Sequence, residues 1–370
     1  MKKILFLIHD LGSGGAEKVL VNLVNNLDSS KFDITVMSMF GGGVNEHFLK
    51  KTIRYQALFS KAFPGNSHIM KLYTPEQLHR FFIKEKYDIE VSYLEGPSAR
   101  IVSGCPDKDT KLVSWIHVEQ HEKESAAKAF RSYKETVECY KKFDKVVCVS
   151  ESVKKDFYNL YPMIAEPIVL YNTNETDQIL KLKDEPIEDA CFKKDEIRLC
   201  GVGKIMPNKG FDKLARIHKR LRDEGYPVHT YILGKGPEQG KIEQYLVENK
   251  LEDSFTFLGY QTNPYKYVAN CDLFVCTSVA EGFSTAATEA LIVGTPVVTT
   301  PVAGMKEMLG ENNKYGIVAE KSEESIFENI VKLLDSPELL DKYKEKAKLR
   351  GKDFRTENTV KAVEELMISL

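Results

Sequence analysis

Short apolar runs alternate with longer amphipathic stretches along the first half of the chain. The runs are bounded by turn residues and are too short for ordinary helices, so they predict buried strands. These strands are Ile4–Ile8, Ile34–Met39, Ile89–Tyr93, Lys111–Ile116 and Lys145–Val149. The stretches between them predict helices over Ala16–Leu27, Pro75–Glu85, Gln120–Tyr140 and Ser152–Leu160. Strands that alternate with helices in this way predict a parallel sheet covered by helices.

A polar stretch from Asn172 to Glu196 interrupts this pattern and is predicted to be a linker. After it, strands are predicted at Ile197–Val202, Val228–Leu233, Phe255–Leu258, Leu273–Cys276 and Val297–Thr299. Helices are predicted at Phe211–Glu224, Gln239–Asn249, Tyr265–Asn270, Ala286–Val293 and Glu323–Leu334. The sequence therefore predicts an α/β protein of two doubly wound units, with ligand in the cleft between them at the carboxyl ends of the strands.

Composition narrows the class of protein. The chain has 370 residues, 42% of them apolar and 29% charged, which fits a folded two-domain protein. A net charge of −2 argues against a dedicated nucleic-acid binder. Seven cysteines without a C-x-x-C spacing indicate reduced thiols. The apolar run Ile4–Ile8 is too short for a signal peptide or a membrane span. We therefore expect a cytoplasmic protein.

Two carboxylates eight positions apart, Glu281 and Glu289, bracket the start of a predicted helix. Glu281 follows a predicted buried strand, and Glu289 lies about one turn inside the helix. Ser284 and Thr285 between them are good N-cap residues, so free backbone N–H groups and the positive end of the helix dipole should point into the same crevice. The carboxylates can accept hydrogen bonds from hydroxyl groups, and the amides can bind a phosphate. Together they suit a nucleotide sugar as ligand.

Two glycine-rich loops follow predicted strands and are compatible with phosphate binding. The first, Gly12-Ser-Gly-Gly-Ala-Glu17, has Glu17 at the third glycine position of a dinucleotide fingerprint, and the second strand lacks the ribose-binding acid. Two interpretations of this loop stay open. It is either a tight turn whose backbone amides can approach a ligand closely, or a plain strand-to-helix turn. The second loop runs from Gly201 to Gly210 and carries Lys204 and Lys209, which could straddle a diphosphate.

These motifs together resemble family 4 of the retaining glycosyltransferases. The resemblance rests on Gly14-Gly-Ala-Glu17, Val202–Gly210, Leu258-Gly-Tyr260, the Glu281…Glu289 motif and Gly294-Thr-Pro-Val297. It implies the GT-B fold, with two Rossmann-like domains. The expected domains are an acceptor-binding one over residues 1–173 and a nucleotide-sugar-binding one over 174–354. The helix in 355–370 is expected to return to the first domain.

The resemblance also implies roles for individual residues. Lys204 and Lys209 would hold the donor's diphosphate, approached also by the amides of Gly14 and Gly15. Glu289 would accept hydrogen bonds from the ribose, and Glu281 from the donor sugar. The remaining donor-site residues would line the sugar–phosphate pocket or border the base; they are Phe283, Ser284, Thr285 and Tyr260. Lys204 stands where the family more often has arginine. A lysine keeps the positive charge but cannot bind a phosphate in the bidentate geometry of arginine.

His117, at the end of a predicted strand, matches the family's active-site histidine. The other histidines of the first half, such as His9 and His79, are predicted to be structural. The reaction implied is retaining transfer by front-side attack, in which the leaving diphosphate accepts the acceptor's proton. Neither a metal ion nor another cofactor is expected, because there is no Asp-x-Asp pair near this constellation. Family frequency favours UDP as the nucleotide.

The acceptor is expected to be a saccharide or a lipid-linked saccharide in bacterial capsule or lipopolysaccharide synthesis. On charge alone, the acidic residues of the predicted helix Gln120–Tyr140 favour a solvated face. The resemblance favours the alternative, in which the basic residues of this helix dock on an anionic surface at the inner face of the cell membrane. Three alternatives stay open at this point. They are a nucleotide-sugar epimerase, a non-catalytic nucleotide-sugar sensor and, disfavoured by Glu17, an NAD-dependent dehydrogenase.

Overall fold

The computed structural model describes residues 1–188, 192–193 and 195–370. The chain forms two compact units. Unit 1 contains Met1–Asn174 together with Thr356–Leu370, and unit 2 contains Glu175–Arg355. Each unit is built on one parallel sheet with helices packed against it, so the predicted α/β class is confirmed.

Unit 1 has a seven-stranded sheet of order β3-β2-β1-β4-β5-β6-β7. Its strands are β1 Lys2–Ile8, β2 Phe32–Phe40, β3 Arg54–Phe59, β4 Ile89–Ser92, β5 Lys111–Ile116, β6 Lys145–Cys148 and β7 Ile168–Val169. Its helices before the crossover to unit 2 are α1 Gly15–Asn26, α2 Asn66–Leu72, α3 Pro75–Phe82, α4 Pro97–Val102, α5 Lys123–Ala126, α6 Tyr133–Tyr140 and α7 Glu151–Leu160. All neighbouring strands pair in parallel.

Unit 2 has a six-stranded sheet of order β10-β9-β8-β11-β12-β13, which is also parallel. Its strands are β8 Ile197–Val202, β9 Val228–Leu233, β10 Phe255–Gly259, β11 Leu273–Cys276, β12 Val297–Thr299 and β13 Ile317–Val318. Its helices are α8 Thr176–Leu182, α9 Phe211–Asp223, α10 Gln239–Glu248, α11 Tyr265–Ala269, α12 Thr285–Val293, α13 Met305–Leu309, α14 Glu323–Leu334 and α15 Pro337–Gly351.

Burial on both faces of the sheets explains the continuous apolar runs in the sequence. In β1 the side chains from Ile4 to Ile8 are completely buried, and all of β9 and β11 is buried. A strand covered by helices on both sides has no solvent-facing positions, so its sequence does not alternate. Polar side chains are therefore expected beyond the ends of the strands, and the candidate site residues lie beyond their carboxyl ends.

The last helix, α16 Thr356–Ser369, belongs to unit 1. Lys2 Nζ donates to the carbonyl of Met367 over 3.0 Å, and Lys31 Nζ lies 3.0 Å from Glu364 Oε2. These contacts fix α16 beside β1 and the turn that precedes β2.

None of the helices in the described ranges has the length and apolar character that spanning a lipid bilayer requires.

The prediction of one continuous helix over Gln120–Tyr140 is wrong. The structure has α5 and α6 with a break between them, and His121 has a positive φ of 59°. Ser132 begins α6 as its N-cap, because its hydroxyl accepts from the backbone N–H of Glu135 over 3.2 Å. The charged residues of this segment are therefore divided between two short helices and the segment that joins them, instead of lying along one helix.

The predicted linker Asn172–Glu196 also needs correction. Its first part forms α8, whose Ile179 is buried, so that part is a packed element of unit 2. Residues 189–191 and 194, in the rest of this stretch, lie outside the described residues.

Candidate functional site

The site in unit 2 forms where β8 and β11 end side by side. These strands are neighbours in the sheet, with Phe274 opposite Cys200. The loops that leave them therefore meet at their carboxyl ends. Thr277, just past β11, joins the two loops because its hydroxyl donates to the carbonyls of Lys209, over 3.1 Å, and Gly210, over 2.7 Å.

Gly210 is what allows this close approach. It has a φ of +66°, a conformation that L side chains rarely adopt. A Cβ at this position would lie 2.3 Å from the carbonyl oxygen of Thr277. The glycine therefore places Lys209 directly beside the end of β11, at the start of α9.

Lys209, Glu281 and Ser278 form a hydrogen-bonded cluster at these strand ends. Lys209 Nζ donates to Glu281 Oε1 over 2.6 Å, and the Ser278 hydroxyl donates to the same oxygen over 2.6 Å. The side chains of Lys209 and Glu281 are 25% and 12% exposed. They line a small pocket together with Ser284 and the end of β11. A cation and a carboxylate thus meet at the mouth of a polar pocket.

Helix α12 begins beside the same strand ends, as predicted. Ser284 is its N-cap, and the Ser284 hydroxyl accepts from the backbone N–H of Ala287. Thr285 is the first helical residue. Phe283 just before the cap is buried and packs edge-on against Phe354, with 6.0 Å between ring centroids. The helix start is therefore fixed by a cap and by aromatic packing, and its first amides face the strand ends.

Glu289 is buried inside α12, with 7% of its surface exposed. The Tyr265 hydroxyl donates to Glu289 Oε1 over 3.4 Å from the neighbouring helix α11. A buried carboxylate needs donors around it, because burial of a charge without partners is costly. Its position one turn into the helix matches the predicted spacing from Glu281.

Lys204 and Tyr260 lie on the turns after β8 and β10, which flank the turn after β9. Both are exposed, and the Tyr260 side chain follows the last residue of β10. The turn that carries Lys204 is held to the turn after β9, where a Cβ at Gly234 would lie 1.9 Å from the carbonyl oxygen of Gly203. The structure therefore gathers the predicted donor-binding residues of unit 2 along one edge of its sheet.

In unit 1, Gly14 and Gly15 lie between β1 and α1. Gly14 is the N-cap residue and Gly15 is the first helical residue of α1. A Cβ at Gly14 would lie 2.0 Å from Glu17 Oε2, so the Glu17 carboxylate covers this end of the helix. The loop is held from the other side by Asn45, whose backbone N–H donates to the carbonyl of Leu11 over 2.9 Å.

His117 follows β5 at the same edge of the unit 1 sheet and is buried. Burial lowers the pKa of His117 to about 3, opposed by a hydrogen bond with the backbone of Tyr93. Its Nε2 atom is buried and has no hydrogen-bond partner among the described residues. The imidazole is therefore neutral near pH 7, and one ring nitrogen has no partner within the protein.

Three further residues support the predicted side chains, and sequence reasoning gave no role to two of them, Ser278 and Tyr265. Ser278 holds Glu281, Tyr265 holds Glu289, and Glu95 accepts from the backbone N–H of His117 over 3.0 Å. Burial raises the pKa of Glu95. Ser278 and Glu95 were visible as polar residues just after strands, but Glu95 finds its partner just after the neighbouring strand β5 and not in its own loop.

The fold and this site define a class of protein. Two parallel, doubly wound sheets constitute the GT-B fold, which is confirmed by solved structures. One is HepE of Anabaena in complex with UDP and glucose, with a TM-score of 0.77, 18% identity and 100% of each chain covered. Another is sucrose-phosphate synthase from Thermosynechococcus elongatus, with a TM-score of 0.79, 16% identity and coverage of 100% and 99%.

Family models match both units. The model described as Glycosyltransferase Family 4 matches residues 13–174, and the model described as Glycosyl transferases group 1 matches residues 183–350. The chain belongs to the family 4 type of glycosyltransferases, and the predicted family is confirmed.

Individual relatives cover nearly the whole chain. The chain is 28% identical over 377 aligned residues, 96% of each protein, to a Campylobacter jejuni enzyme, N-acetylgalactosamine-N,N'-diacetylbacillosaminyl-diphospho-undecaprenol 4-alpha-N-acetylgalactosaminyltransferase. It is 22% identical to the Rhizobium meliloti lipopolysaccharide core biosynthesis glycosyltransferase LpsD, over 98% of this chain and 96% of that protein.

Proposed function

We propose that this glycosyltransferase moves a sugar from a UDP-sugar to a saccharide or lipid-linked saccharide acceptor, in the synthesis of a cell-surface polysaccharide. Similarity supports each part of the proposal. The name of the Campylobacter jejuni relative contains a diphospho-undecaprenol-linked saccharide, and the Rhizobium meliloti relative is named for lipopolysaccharide core biosynthesis. The structural relative HepE was solved with UDP and glucose.

The observation that carries the proposal is the Lys209–Glu281 pair beside the capped start of α12. Lys209 and the first amides of α12 supply positive potential for a diphosphate, with Lys204 on the same loop. Glu281 supplies acceptor oxygens for hydroxyl groups of the donor sugar. Glu289, deeper in α12, supplies acceptor oxygens for the ribose.

The remaining predicted residues have supporting roles in the proposal. Phe283, Ser284 and Thr285 line the sugar–phosphate pocket, and Tyr260 borders the base. In unit 1 the amides of Gly14 and Gly15 approach the diphosphate, and neutral His117 contacts the donor sugar near its reacting carbon. A neutral imidazole with an unpartnered Nε2 suits hydrogen bonding to a sugar hydroxyl.

In the proposed reaction the acceptor oxygen bonds to the anomeric carbon on the face from which UDP departs, so the configuration is retained. The bond between that carbon and the diphosphate oxygen breaks, and the leaving UDP takes the acceptor's proton. Lys204, Lys209 and the α12 amides stabilise the negative charge that develops on the leaving group. Neither a metal ion nor another cofactor has a role in this scheme.

We further propose that the enzyme works at the inner face of the cell membrane as a peripheral protein. Several lysine and arginine side chains of the segment around α5 and α6 would face anionic lipid; they are Lys123, Lys128, Arg131, Lys134, Lys141 and Lys142. Liposome flotation with and without acidic lipid tests this part. Equal flotation in both, or none, contradicts it.

A panel of nucleotide sugars tests the donor. We expect one UDP-sugar to raise the melting temperature most, and the same compound to be consumed only when an acceptor is added. Anomeric proton NMR of the product would then show the donor's configuration. Isomerisation of the donor without an acceptor contradicts transfer, an inverted product contradicts the front-side path, and loss of activity in chelator contradicts metal independence.

A further inference from the structure

A second group of reactive side chains lies in unit 1, away from the strand ends described above. His79 from α3, Glu90 from β4 and Cys105, just after α4, place their ligating atoms within 4.8 Å of one another. It is the one group of this kind in the described ranges 1–188, 192–193 and 195–370. Glu90 lies at the amino half of β4, whereas the proposed catalytic residues lie at carboxyl ends.

The contacts within this group are short. His79 Nε2 lies 2.9 Å from Glu90 Oε2, and Cys105 Sγ lies 3.8 Å from Glu90 Oε1. His79 and Glu90 are 6% and 1% exposed, and Cys105 is half-buried. A Cβ at Gly104 would lie 2.0 Å from the carbonyl oxygen of Pro75, so a glycine brings the chain before Cys105 against the start of α3.

The donor set fits a divalent transition metal. Zinc takes thiolate, imidazole and carboxylate ligands at about 2.0–2.3 Å in a tetrahedron, which places neighbouring ligand atoms roughly 3.3–3.6 Å apart. The observed 2.9 Å and 3.8 Å separations need shifts of up to about half an ångström to reach that geometry, and the third pair of ligand atoms lies within 4.8 Å. Cys105 is half-buried, so a metal ion can reach the group from solvent on this side.

A buried ion pair without metal is the competing explanation. Although burial opposes protonation, hydrogen bonds with Cys105 and Glu90 raise the pKa of His79 to about 9. An imidazolium facing a carboxylate explains why Glu90 is buried in the sheet. The ion pair itself has no need of a third member, whereas in a metal site the Cys105 thiolate supplies a third ligand.

We propose that His79, Glu90 and Cys105 form a structural site for Zn²⁺ or a similar divalent transition metal, which ties α3 and the segment after α4 to β4. Loaded with Zn²⁺, a thiolate, a carboxylate and a neutral imidazole give an electrically neutral buried site. None of the three ligands is among the proposed donor-binding residues, and those of unit 2 lie in the other compact unit.

The test uses the full chain, with its affinity tag removed, and Zn²⁺ or Co²⁺ alone. We expect one equivalent of Zn²⁺ to remain after gel filtration, and Co²⁺ to give a thiolate-to-metal charge-transfer band. The variants Cys105→Ser and His79→Gln should lose the band and weaken metal binding more than about 100-fold, because even outer-shell partners contribute about 10–100-fold. Cys139→Ser and His68→Gln are control variants that should keep the charge-transfer band and the metal affinity of the wild type.

Alkylation of the wild-type protein gives a readout that does not depend on variants. Zn²⁺ should protect Cys105 from iodoacetamide in a peptide map, because the metal-bound thiolate is no longer free to react. The proposal is overturned if Co²⁺ gives no charge-transfer band, if Cys105 reacts equally with and without Zn²⁺, or if the Cys105→Ser and His79→Gln variants bind metal as the wild type does. Should either variant fail to fold, the protection experiment alone decides.

Discussion

The Lys209 ammonium and the Glu281 carboxylate lie 2.6 Å apart, although 72 positions separate them in the sequence. Both side chains are mostly shielded from solvent, so their attraction is stronger than that of a surface pair. A donor diphosphate would compete with Glu281 for the same ammonium. The two residues should therefore affect nucleotide binding in opposite directions.

Replacing Lys209 by alanine should weaken UDP binding. Charge-assisted hydrogen bonds contribute about 1.5–3 kcal/mol, which corresponds to roughly a 10- to 150-fold rise in Kd. Isothermal titration calorimetry with UDP measures this change. The control is Lys332→Ala, which removes an exposed lysine from α14. An unchanged Kd for Lys209→Ala would remove this residue from the diphosphate site.

Replacing Glu281 by glutamine should separate binding from catalysis. The amide keeps the size of the side chain but releases Lys209 from its ion pair, so we expect UDP to bind as well as before or slightly better. Transfer should fall about 100-fold in kcat, a typical loss for a group that stabilises the transition state. Parallel calorimetry and steady-state assays check both parts. A weaker UDP affinity with unchanged kcat would reverse the assignment.

Glu289 should recognise the ribose of the donor. If its carboxylate accepts from ribose hydroxyls, UDP should bind the wild type about 10-fold or more tightly than deoxyribose analogues of UDP. The Glu289→Gln variant should lose most of that discrimination, because one acceptor oxygen is replaced by a donor. Tyr265→Phe removes the 3.4 Å hydrogen bond to Glu289 but leaves both carboxylate oxygens in place, so this variant should keep the discrimination. Equal discrimination in wild type and Glu289→Gln would contradict the role.

Two glycines with positive φ provide a matched test of how the site is positioned. Gly225 has a φ of +90° with nothing within 4 Å of its would-be Cβ, whereas at Gly210 a Cβ meets the Thr277 carbonyl at 2.3 Å. Alanine at Gly225 should lower the free energy of unfolding by about 1–2 kcal/mol and leave UDP binding intact. Alanine at Gly210 should also weaken UDP binding, because it displaces the end of β11. Equal UDP affinities in the two variants would contradict this account.

The sequence predicted the buried central strands well and missed the edge strands β3, β7 and β13. β5, β8, β9, β11 and β12 have the predicted bounds, because burial on both faces leaves an apolar run in the sequence. β3 was missed, since it is an edge strand whose residues are mostly exposed or half-buried. Helix periodicity likewise continued through the turn before Ser132, where a side-chain cap starts a new helix.

For the site, motif spacing predicted which residues follow strand ends but not what they contact. The position of Glu289 inside a helix followed from its distance to Glu281. The hydrogen bond of Glu281 with Lys209 depends on the adjacency of β8 and β11, which are far apart in the chain. The group of His79, Glu90 and Cys105 was missed for the same reason, and His79 was predicted to be structural only.

A last prediction concerns His218, which lies in α9 and packs into the core of unit 2. Its ring nitrogens are each 2.9 Å from a hydroxyl, Nδ1 from Thr230 and Nε2 from Ser254. Burial lowers the pKa of His218 from 6.5 to about 3. The unfolded chain therefore takes up a proton at a higher pH than the folded protein does. The stability that His218 contributes is fully present above about pH 6.5 and is lost as the pH falls towards about 3.

Between pH 7.5 and pH 5 this single histidine should reduce the stability of unit 2 by about 2 kcal/mol. Hydrogen exchange of peptides from β9 reports on unit 2 and measures the change, because buried strands exchange through large openings. In His218→Gln the protein should be less stable at pH 7.5, but its protection should depend less on pH over this range. His68→Gln, an exposed change in unit 1, should leave the pH dependence of β9 as it is. If β9 in the wild type is equally protected at both pH values, His218 accepts its proton without opening the core and the argument from burial fails.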